Sequence, residues 1–461
     1  MNPPQSNRSA RLKTKFAAIA RATALVVAVA LLPATTAGLA QVDARTSPDF
    51  ARLFEIYQMV KDNYVEGVDD EQLIRGAIDG MLGSLDPHSS YLDGSAIQRL
   101  NTMVDGEYQG LGLSVVGEEG AVKVISPFKG SPAEEMGIKA GDYITHLDGK
   151  SIIGLDLDEA VAKMRGPEGT DIQLTIFRPG RDDTFDVTVT RGTIQLEPVT
   201  YELDGTIGVI SINEFAADVG VDVAEAIDTM RRDVPGGKLT GLVLDMRNNP
   251  GGSLREAIIL SDLFLTKGTI VSQKGRRSED NRSFPAEIVF RGEIAPDMPM
   301  IVLINAGSAS ASEIVAGALQ DQRRALVMGE RSFGKGSVQS LFYLDDDRTK
   351  GLKLTTARYY TPSGKSVQEG GIDPDIRVPQ MSDPDAARRS KLAFRESDLR
   401  GHLINEADVD DRELENDRQT DPRFDVTAEE LEKQGIEDFQ LDYAIKTLNR
   451  TSNPVGLAKR K

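Results

Sequence analysis

The sequence predicts a multi-domain α/β protein, and three changes of pattern along its 461 residues indicate this class. Residues 193–380 alternate apolar runs of strand length with segments of helical periodicity, which is typical of an α/β core. Residues 106–192 instead contain short strand-like runs separated by glycines, and residues 41–105 carry the wide apolar faces of amphipathic helices. The chain after these is charged and poor in apolar side chains until a final helical pattern over Ile436–Leu448.

The N-terminal segment 1–40 has the three parts of an export signal. Its first 21 residues carry five basic side chains and no acidic one, the stretch Ala22–Leu32 is apolar, and the next eight residues are mainly small. The apolar stretch is shorter than the ~20 residues that a spanning helix needs, so we expect cleavage after Ala37 or Ala40 and a soluble periplasmic product. An uncleaved signal would leave the protein associated with the inner membrane.

Composition excludes several classes of site. The chain has no cysteine, which rules out disulfides, a thiol nucleophile and cysteine-bound metal, and which suits an oxidising compartment. The formal net charge of −18 argues against nonspecific nucleic-acid binding, because that needs clustered lysine and arginine. We expect no metal and no organic cofactor.

Two amphipathic helices are predicted in the region 41–105, over Pro48–Val65 and Gln72–Leu85. The first has a broad apolar face that includes Phe50 and Phe54, and such a face is usually core or a subunit contact. We therefore expect a homo-oligomer. A turn with the sequence D-P-H-S-S-Y follows the second helix.

A glycine-rich turn opens the β-rich domain at 106–192. Gly110 and Gly112 free their backbone N–H groups to form a nest that can hold a terminal carboxylate. Leu111 and Leu113 then line an apolar pocket for the last side chain of an extended peptide, which pairs with the following strand. The pattern thus predicts protein or peptide partners with apolar C-termini, and an ordinary glycine-rich turn is the alternative.

The segment Pro299–Asp321 combines a strand, a turn of small residues and a helix. Met300–Ile304 has the composition of a buried strand, and helical spacing runs from Glu313 to the end of the segment. Such a turn presents a hydroxyl at a helix N-terminus, where backbone N–H groups favour developing negative charge. The candidate nucleophiles are Ser308, Ser310 and Ser312. Ser310-x-x-Glu313 also fits a capping box, which is the purely structural alternative.

Lys335 is the candidate general base. It lies between Gly334 and Gly336, which let the backbone approach other groups and leave the ammonium without a shielding side chain. Desolvation disfavours the charged form of a lysine, so Lys335 can lose its proton and act as base for a serine. The chain has only three histidines, and among them only His88 offers an alternative base.

The predicted strand Leu239–Asp245 ends in the turn D-M-R-N-N-P-G-G, and a helix follows from Ser253. The backbone N–H of Gly251 or Gly252 can supply one oxyanion donor, and that of Ala311 can supply the other. A plain strand-to-helix turn is the alternative.

Two motifs resemble those of the C-terminal processing, or tail-specific, peptidase family: G-S-A-S-A-S-E at 307–313 and F-G-K-G-S-V-Q at 333–339. The resemblance implies that Ser310 is the nucleophile and Lys335 the base. It also implies that Gln339 positions the lysine, and that the D-x-R-x-N-x-G-G element supplies oxyanion donors.

Residues 106–192 resemble a PDZ domain, through Y-Q-G-L-G-L-S-V at 108–115, the stretch 131–150 and R-G-P-E-G-T at 165–170. The family resemblance implies that Arg165 contacts the protease core when peptide is bound and so regulates it; a solvated surface charge is the alternative. The resulting organisation is an export signal at 1–40, a helical region at 41–105, a PDZ domain at 106–192, a Ser–Lys protease core at 193–380 that is crotonase-like or ClpP-like in the family, and an acidic linker with a helical C-terminal tail at 381–461.

These features together predict an exported serine endopeptidase that captures apolar C-terminal tails and hydrolyses peptide bonds with a Ser–Lys dyad. A separate adaptor protein is a further partner that tail capture allows. Two alternatives come from other classes: a non-catalytic PDZ scaffold, and an NTPase with a P-loop at Gly329-x4-Gly334-Lys335. The P-loop alternative lacks the Ser or Thr that binds the metal, because Gly336 follows the lysine.

Overall fold

The structure is a computed structural model. It describes residues 47–118, 121–128, 130–155, 157–181, 183–195, 197–286, 294–295, 297–382, 395–407, 424 and 426–452. The predicted export signal at 1–40 lies outside them. Across these described ranges, no helix combines the length and the apolar character that crossing a bilayer requires. Internal contacts divide the chain into two compact units, residues 1–77 and 78–461.

Two helices form the N-terminal region, as predicted: α1, Pro48–Asn63, and α2, Asp70–Gly83. Proline at the first position of α1 suits a helix start, because an N–H there would have no partner within the helix. No side chain of α1 is buried, and Phe50 and Phe54 are 52% and 62% exposed. The predicted apolar face is therefore open in the single chain, and the homo-oligomer stays a prediction.

A strand and a helix follow the D-P-H-S-S-Y turn. They are β1, Ser90–Asp93, and α3, Gly94–Asp105, which ends at Gly106 with the left-handed φ of 73° that favours glycine. β1 pairs antiparallel with β18, Lys350–Tyr360, in the C-terminal half of the chain. β1 was not predicted from the sequence, because its partner lies far along the chain and its own four residues show no alternation.

The predicted PDZ domain is built on a six-stranded antiparallel sheet. Its strands are β3 (Leu113–Glu118), β4 (Ala121–Pro127), β5 (Tyr143–Leu147), β6 (Lys150–Ser151), β7 (Asp171–Phe177) and β8 (Phe185–Thr190). The spatial order is β3-β4-β5-β7-β8, with β6 on β5. Every second side chain of β7 is buried, namely Ile172, Leu174 and Ile176, as expected for a sheet with one covered face. Helices α4 (Pro132–Glu135) and α5 (Leu157–Met164) add to this core, and a ribbon of β2 (Glu107–Gly110) and β9 (Gly192–Gln195) adjoins it.

The predicted α/β core contains a second six-stranded sheet. Its strands are β10 (Val199–Asp204), β11 (Ile207–Ile212), β12 (Gly241–Asp245), β15 (Met300–Ile304), β16 (Leu326–Gly329) and β19 (Ile376–Arg377), in that spatial order. All neighbours are parallel except β10 and β11. The long helices of this region are α6 (Val219–Asp233), α7 (Leu254–Phe264) and α8 (Ala311–Asp321). The predicted strand at 300–304 and the helix that ends at Asp321 are confirmed, because a strand buried on both faces has a continuous apolar run.

A five-stranded sheet completes the core, and one of its strands, β17 (Ser337–Tyr343), begins two residues after Lys335. It contains β13 (Thr269–Gly275), β14 (Arg282–Pro285) and β17 together with β1 and β18. The order is β1-β18-β13-β14, and β17 also pairs with β18.

The C-terminal region ends in helices α9 (Ala428–Lys433) and α10 (Phe439–Ser452). Ala444 and Leu448 of α10 are buried against the six-stranded core sheet, so this helix covers an apolar face of the sheet. Part of the predicted acidic linker, residues 395–407, packs into the fold, where Glu396 is fully buried and Asn405 is 8% exposed. The neighbouring parts of the predicted linker, 383–394 and 408–423, lie outside the described residues.

Candidate active site

The three candidate serines differ in what their hydroxyls do. Ser308 Oγ is fully buried and donates to the Met246 carbonyl at 2.7 Å, and the buried Ser312 Oγ donates to the Asn249 carbonyl at 3.0 Å. Ser310 is half-buried at the start of α8, with φ 54° and ψ −109°. A non-glycine residue in this region of φ/ψ is strained, and such strain is found preferentially at active sites. The geometry therefore favours Ser310 among the three.

One buried carboxylate joins the Ser310 turn to the loop that contains Lys335, here called the lysine loop. Glu313 is fully buried, and its Oε2 accepts the N–H of Ser310 at 2.7 Å and the N–H of Lys335 at 3.0 Å. Its Oε1 accepts the N–H of Gly334 at 2.7 Å and the hydroxyl of Ser332 at 2.6 Å. Burial raises the pKa of Glu313 to about 7, although these hydrogen bonds favour the ionised form. Two predicted catalytic residues are thus linked through a single carboxylate oxygen.

The backbone of the lysine loop packs so closely against neighbouring backbone that only glycine fits on either side of Lys335. A β-carbon on Gly334 would lie 2.6 Å from the Glu369 carbonyl oxygen, and one on Gly336 would lie 2.5 Å from the Gln368 nitrogen. β17 begins two residues after the lysine, whereas a P-loop leads into a helix. The NTPase alternative is therefore wrong.

The surroundings of the Lys335 side chain favour a neutral amine. Burial lowers the pKa of Lys335, and the positive charge of Lys353 lowers it further. The carboxylates of Glu396, Glu313 and Asp86 act in the opposite direction, but the net shift is downward. A lowered pKa is what a lysine needs to act as a general base near neutral pH.

Tyr359 is a residue of this site that the sequence analysis missed. It is 2% exposed, and its hydroxyl contacts the carbonyl oxygen of Lys335 and lies 3.2 Å from that of Ser310. Burial raises the pKa of Tyr359 well above its ordinary value, so the hydroxyl stays protonated and can donate. No motif surrounds Tyr359, and it reaches the site because its N–H donates to the Gly336 carbonyl at 2.9 Å.

Gln339 lies on β17, four residues after the lysine. Its Nε2 donates to Ser337 Oγ at 3.0 Å and to Thr355 Oγ1 at 3.2 Å. Among the residues described, no hydrogen bond joins its side chain to Lys335. Its role in positioning the lysine stays a prediction.

The predicted oxyanion turn lies against the Ser310 turn. A β-carbon on Gly251 would lie 2.8 Å from Ser310 Cβ and 3.0 Å from Ala311 N, so glycine is needed for the two turns to meet. The Gly251 N–H donates to Asn249 Oδ1 at 2.9 Å, which leaves Gly252 rather than Gly251 as the predicted donor from this turn. Within the described part of the chain, the N–H groups of Gly252 and Ala311 have no hydrogen-bond partner.

A charged cluster holds the strand that leads into this turn. Arg247 donates to Asp245 Oδ2 at 2.5 Å and to Asp438 Oδ2 at 2.6 Å, and it also donates to Gln440 Oε1 at 3.0 Å. Asp438 and Gln440 lie at the start of α10, so the C-terminal helix is tied to the oxyanion turn by a mostly buried ion pair.

The predicted carboxylate nest is the turn between β2 and β3. Gly112 has a φ of 75°, and a β-carbon there would lie 2.3 Å from Ser131 Cβ, so glycine is required. β3 is an edge strand, because among the described strands it pairs with β4 alone. Leu113 is half-buried on this strand, whereas Leu111 is only 3% exposed and packs in the domain core instead of an open pocket.

Arg165 is not the solvated surface charge that was the alternative. Its guanidinium lies 4.6 Å from the centre of the Tyr108 ring and donates to Thr102 Oγ1 at 3.0 Å. Thr102 belongs to α3, and its neighbour Asn101 accepts the Tyr343 hydroxyl of β17 at 3.1 Å. Helix α3 thus lies between Arg165 and a strand of the core, and a contact of Arg165 with the core upon peptide binding stays a prediction.

His88, the alternative base, has another partner. Its Nε2 lies 2.9 Å from Oε2 of the fully buried Glu396, which also accepts Gln368 Nε2 at 3.0 Å. No hydrogen bond between His88 and Ser310 occurs among the residues that the structure describes. The geometry does not support His88 as the base.

Comparison with known proteins gives three family matches: peptidase family S41 at residues 206–378, the activating protease CtpB N-terminal domain at 32–96, and a PDZ domain at 124–178. A carboxy-terminal-processing protease of Bartonella bacilliformis is 46% identical over 368 residues, which are 80% of this chain and 83% of that relative. Carboxy-terminal processing protease CtpA of Bacillus subtilis is 35% identical over 371 residues, which are 80% of this chain and 77% of that relative. Among solved structures, a photosystem II D1 C-terminal processing protease is 27% identical, with a TM-score of 0.42, over 77% of this chain and 92% of that one.

Proposed function

The chain belongs to peptidase family S41, and from this premise we propose that it is an exported carboxyl-terminal processing serine endopeptidase with a Ser–Lys dyad. It is a carboxy-terminal processing protease with a PDZ domain. The observation that carries the dyad is the Glu313 carboxylate, whose Oε2 accepts the N–H of both Ser310 and Lys335. A buried joint of this kind fixes the nucleophile turn and the base loop relative to each other.

The proposed chemistry is acyl transfer with one proton shuttle. Neutral Lys335 takes the proton of Ser310 Oγ while that oxygen attacks the scissile carbonyl, and the lysine then gives the proton to the leaving amine. Water cleaves the acyl-enzyme by the same route. The N–H groups of Gly252 and Ala311 stabilise the oxyanion, and Gln339 orients the amine of Lys335.

The PDZ domain supplies the choice of substrate in this proposal. A peptide lies along the open edge of β3, its carboxylate meets the turn at Gly110–Gly112, and its last side chain lies near Leu113. An apolar last residue suits this place, whereas a last Asp would bury an unpaired charge. Amidation of the carboxylate would remove charge-assisted hydrogen bonds to the backbone N–H groups.

This recruitment predicts a ranking of three forms of one substrate protein. The form with an apolar tail is cleaved fastest, and the forms with an Asp-ended tail or an amidated apolar tail are cleaved at least about tenfold more slowly, since one lost charged hydrogen bond is worth about 1.5–3 kcal/mol. The measurement is the initial cleavage rate at low substrate concentration. Equal rates on all three tails would remove the PDZ domain from substrate choice.

Arg165 is the proposed regulatory contact. Its bond to Thr102 and the adjacent bond from Tyr343 to Asn101 connect the PDZ domain to β17 through α3. Arg165→Ala breaks the first of these, so we expect slower cleavage of tailed substrates. An Arg165→Ala variant that cleaves as fast as the wild type would exclude this regulatory contact.

Localisation and assembly belong to the same proposal. The export signal at 1–40 supports a periplasmic protein, with inner-membrane association if the signal is kept. The exposed apolar side chains of α1 support a homo-oligomer, because a monomer rarely leaves such a face open. A separate adaptor protein remains a candidate partner for delivering substrate.

The deciding experiment is peptide cleavage followed by mass spectrometry of the products. Ser310→Ala and Lys335→Arg should abolish cleavage, the second because a guanidinium does not release its proton at working pH. Lys446→Arg, a matched change of an exposed lysine on α10, should cleave like the wild type. Cleavage by Ser310→Ala at a comparable rate would refute the nucleophile, and tail binding without any cleavage by the wild type would indicate the non-catalytic scaffold.

A further inference from the structure

Beyond the dyad, we propose that Asp86 and Thr355 are positioning residues that fix the orientation of the Gln339 amide. The inference rests on the proposed function, because it takes Gln339 as the residue that holds Lys335. It assigns a role to the D-P-H-S-S-Y turn, which the sequence analysis left without one.

Both hydrogens of the Gln339 amide nitrogen are already used. One is donated to Ser337 Oγ at 3.0 Å and the other to Thr355 Oγ1 at 3.2 Å. The contact to Thr355 follows from the sheet, since the register of β17 on β18 shifts between Val338 and Gln339 and pairs Gln339 with Thr355. Over the described residues, Oε1 of Gln339 accepts no hydrogen bond, so it is the amide atom that is free to accept an N–H of Lys335.

Asp86 determines in which direction the Thr355 hydroxyl donates its hydrogen bond. The Thr355 hydroxyl has one proton, and it donates that proton to Asp86 Oδ1 at 3.0 Å. An ionised carboxylate can only accept, so the lone pairs of Thr355 Oγ1 are left to face Gln339. If the amide were turned over, Gln339 Oε1 would meet Thr355 Oγ1 with no proton between them. The chain of bonds therefore selects one amide orientation.

The carboxylate itself is held rigidly. Asp86 is 5% exposed, and it accepts the Ser89 hydroxyl at 2.8 Å and the N–H groups of His88 and Ser89 at 2.8 Å each. Burial raises the pKa of Asp86, but the hydrogen bonds from Ser89, the His88 N–H and Thr355 outweigh it, so the pKa lies below its ordinary value. The Thr355 N–H in turn donates to Ser89 Oγ at 3.1 Å, which docks the whole turn on β18.

The orientation matters because a neutral lysine amine has a single lone pair. When Gln339 Oε1 accepts one N–H of Lys335, the lone pair is free to take the Ser310 proton. With the amide turned over, Nε2–H would donate to that lone pair and compete with the serine. Loss of Thr355 or of the Asp86 charge should thus reduce the chemical step and leave tail binding unchanged.

The test compares two substitutions at one position, of which one keeps the shape of the side chain and the other keeps its hydroxyl. Thr355→Val removes the hydroxyl and keeps the β-branched shape, and Thr355→Ser keeps the hydroxyl. We expect Thr355→Val to lower kcat about tenfold or more with KM unchanged, within the range of coupling between hydrogen-bonded neighbours, and Thr355→Ser to stay near the wild-type rate. Wild-type kcat in Thr355→Val, or an equal loss in both variants, would overturn the proposal.

A double-mutant cycle separates positioning from a general structural effect. In a Gln339→Ala background, Thr355→Val should cause no further loss of kcat, because there is no amide left to orient. The same loss in both backgrounds would overturn the proposal, as would a Gln339→Ala variant with full activity. Ser310→Ala and Lys335→Ala are measured alongside: activity in either refutes the dyad itself, whereas their inactivity with a fully active Thr355→Val refutes only the present inference.

Discussion

Replacing Glu313 by glutamine tests whether this side chain is only a helix cap or a joint between the catalytic loops. Oε1 of Glu313 accepts two donors and Oε2 accepts three, the third being the Tyr359 hydroxyl at 3.4 Å, whereas an amide keeps only one accepting oxygen. The glutamine amide loses fewest hydrogen bonds when its nitrogen takes the place of Oε1, facing Ser332 and Gly334. The Ser332 hydroxyl can then rotate away, but the buried Gly334 N–H is left without an acceptor. An unsatisfied buried donor costs about 1–3 kcal/mol, so we expect Glu313→Gln to lower the free energy of unfolding by that amount. Peptide cleavage should also fall, because Gly334 directly precedes Lys335.

Glu430 provides the matched control. It occupies the same place in the capping box of α9, where its Oε2 accepts the Thr427 N–H at 2.9 Å, but it is exposed, and among the described residues its carboxylate accepts hydrogen bonds from Thr427 alone. Glu430→Gln should leave both the free energy of unfolding and the cleavage rate close to those of the wild type, since an exposed donor can turn to water. Urea unfolding and peptide cleavage are measured for both variants. If both variants lose the same free energy of unfolding and Glu313→Gln cleaves like the wild type, Glu313 acts only as a helix cap, which was the structural alternative predicted from the sequence.

The pH dependence of stability gives the same prediction a second readout. Burial raises the pKa of Glu313 from an ordinary 4.5 to about 7, so between these values the native protein keeps a proton that the unfolded chain has lost. This contribution is fully present below pH 4.5, and the free energy of unfolding falls by up to ~3 kcal/mol as the pH rises to about 7. Glu313→Gln should remove that part of the slope, and an unchanged slope would mean that another group causes it.

Two further predictions concern the base and the turn beside the nucleophile. Lys353→Met removes a positive charge that lowers the pKa of Lys335, so the acidic limb of the profile of kcat/KM against pH should move to higher pH; a move to lower pH would contradict the assigned electrostatics. Gly251→Ala places a β-carbon 2.8 Å from Ser310 Cβ and should abolish most peptide cleavage. The control is Gly237→Ala, which also has a positive φ, of 70°, but has nothing within 4 Å of the new atom and should cleave like the wild type. Full cleavage by Gly251→Ala would show that the two turns need not meet so closely.

Local patterns were enough to predict the parts of the site that lie within one element. The buried strand Met300–Ile304 and the helix after Ser310 follow from an apolar run, a small-residue turn and helical spacing, and the glycines around Lys335 followed from the need for close approach. Leu111 is buried in the domain core, and its place in the peptide pocket stays a prediction. The sequence did not indicate this burial, because a leucine between two glycines has no neighbours in sequence that decide which way it faces. Its burial is set by the packing of the whole domain.

Partners that meet through β18 could not be predicted from local patterns. Thr355 and Tyr359 come to the site because this strand pairs with β17 in one register, and that register changes at an irregularity between Val338 and Gln339. A one-residue slip would turn every side chain of the strand to the opposite face. Nothing in the motif at 333–339 indicates that register, so the sequence predicted Gln339 without the residues that orient it.

Glu396 shows why composition failed for the segment after residue 380. The average over that segment is acidic and poor in apolar residues, which is typical of a solvated linker. Yet Glu396 is fully buried beside His88, and its own N–H donates to the Phe333 carbonyl at 3.2 Å, two residues before the lysine. An isolated buried carboxylate would cost several kcal/mol, so its position requires hydrogen-bond partners, which His88 and Gln368 supply. Its negative charge raises the pKa of Lys335 against the effect of burial. The C-terminal region therefore takes part in setting the charge balance around the proposed base.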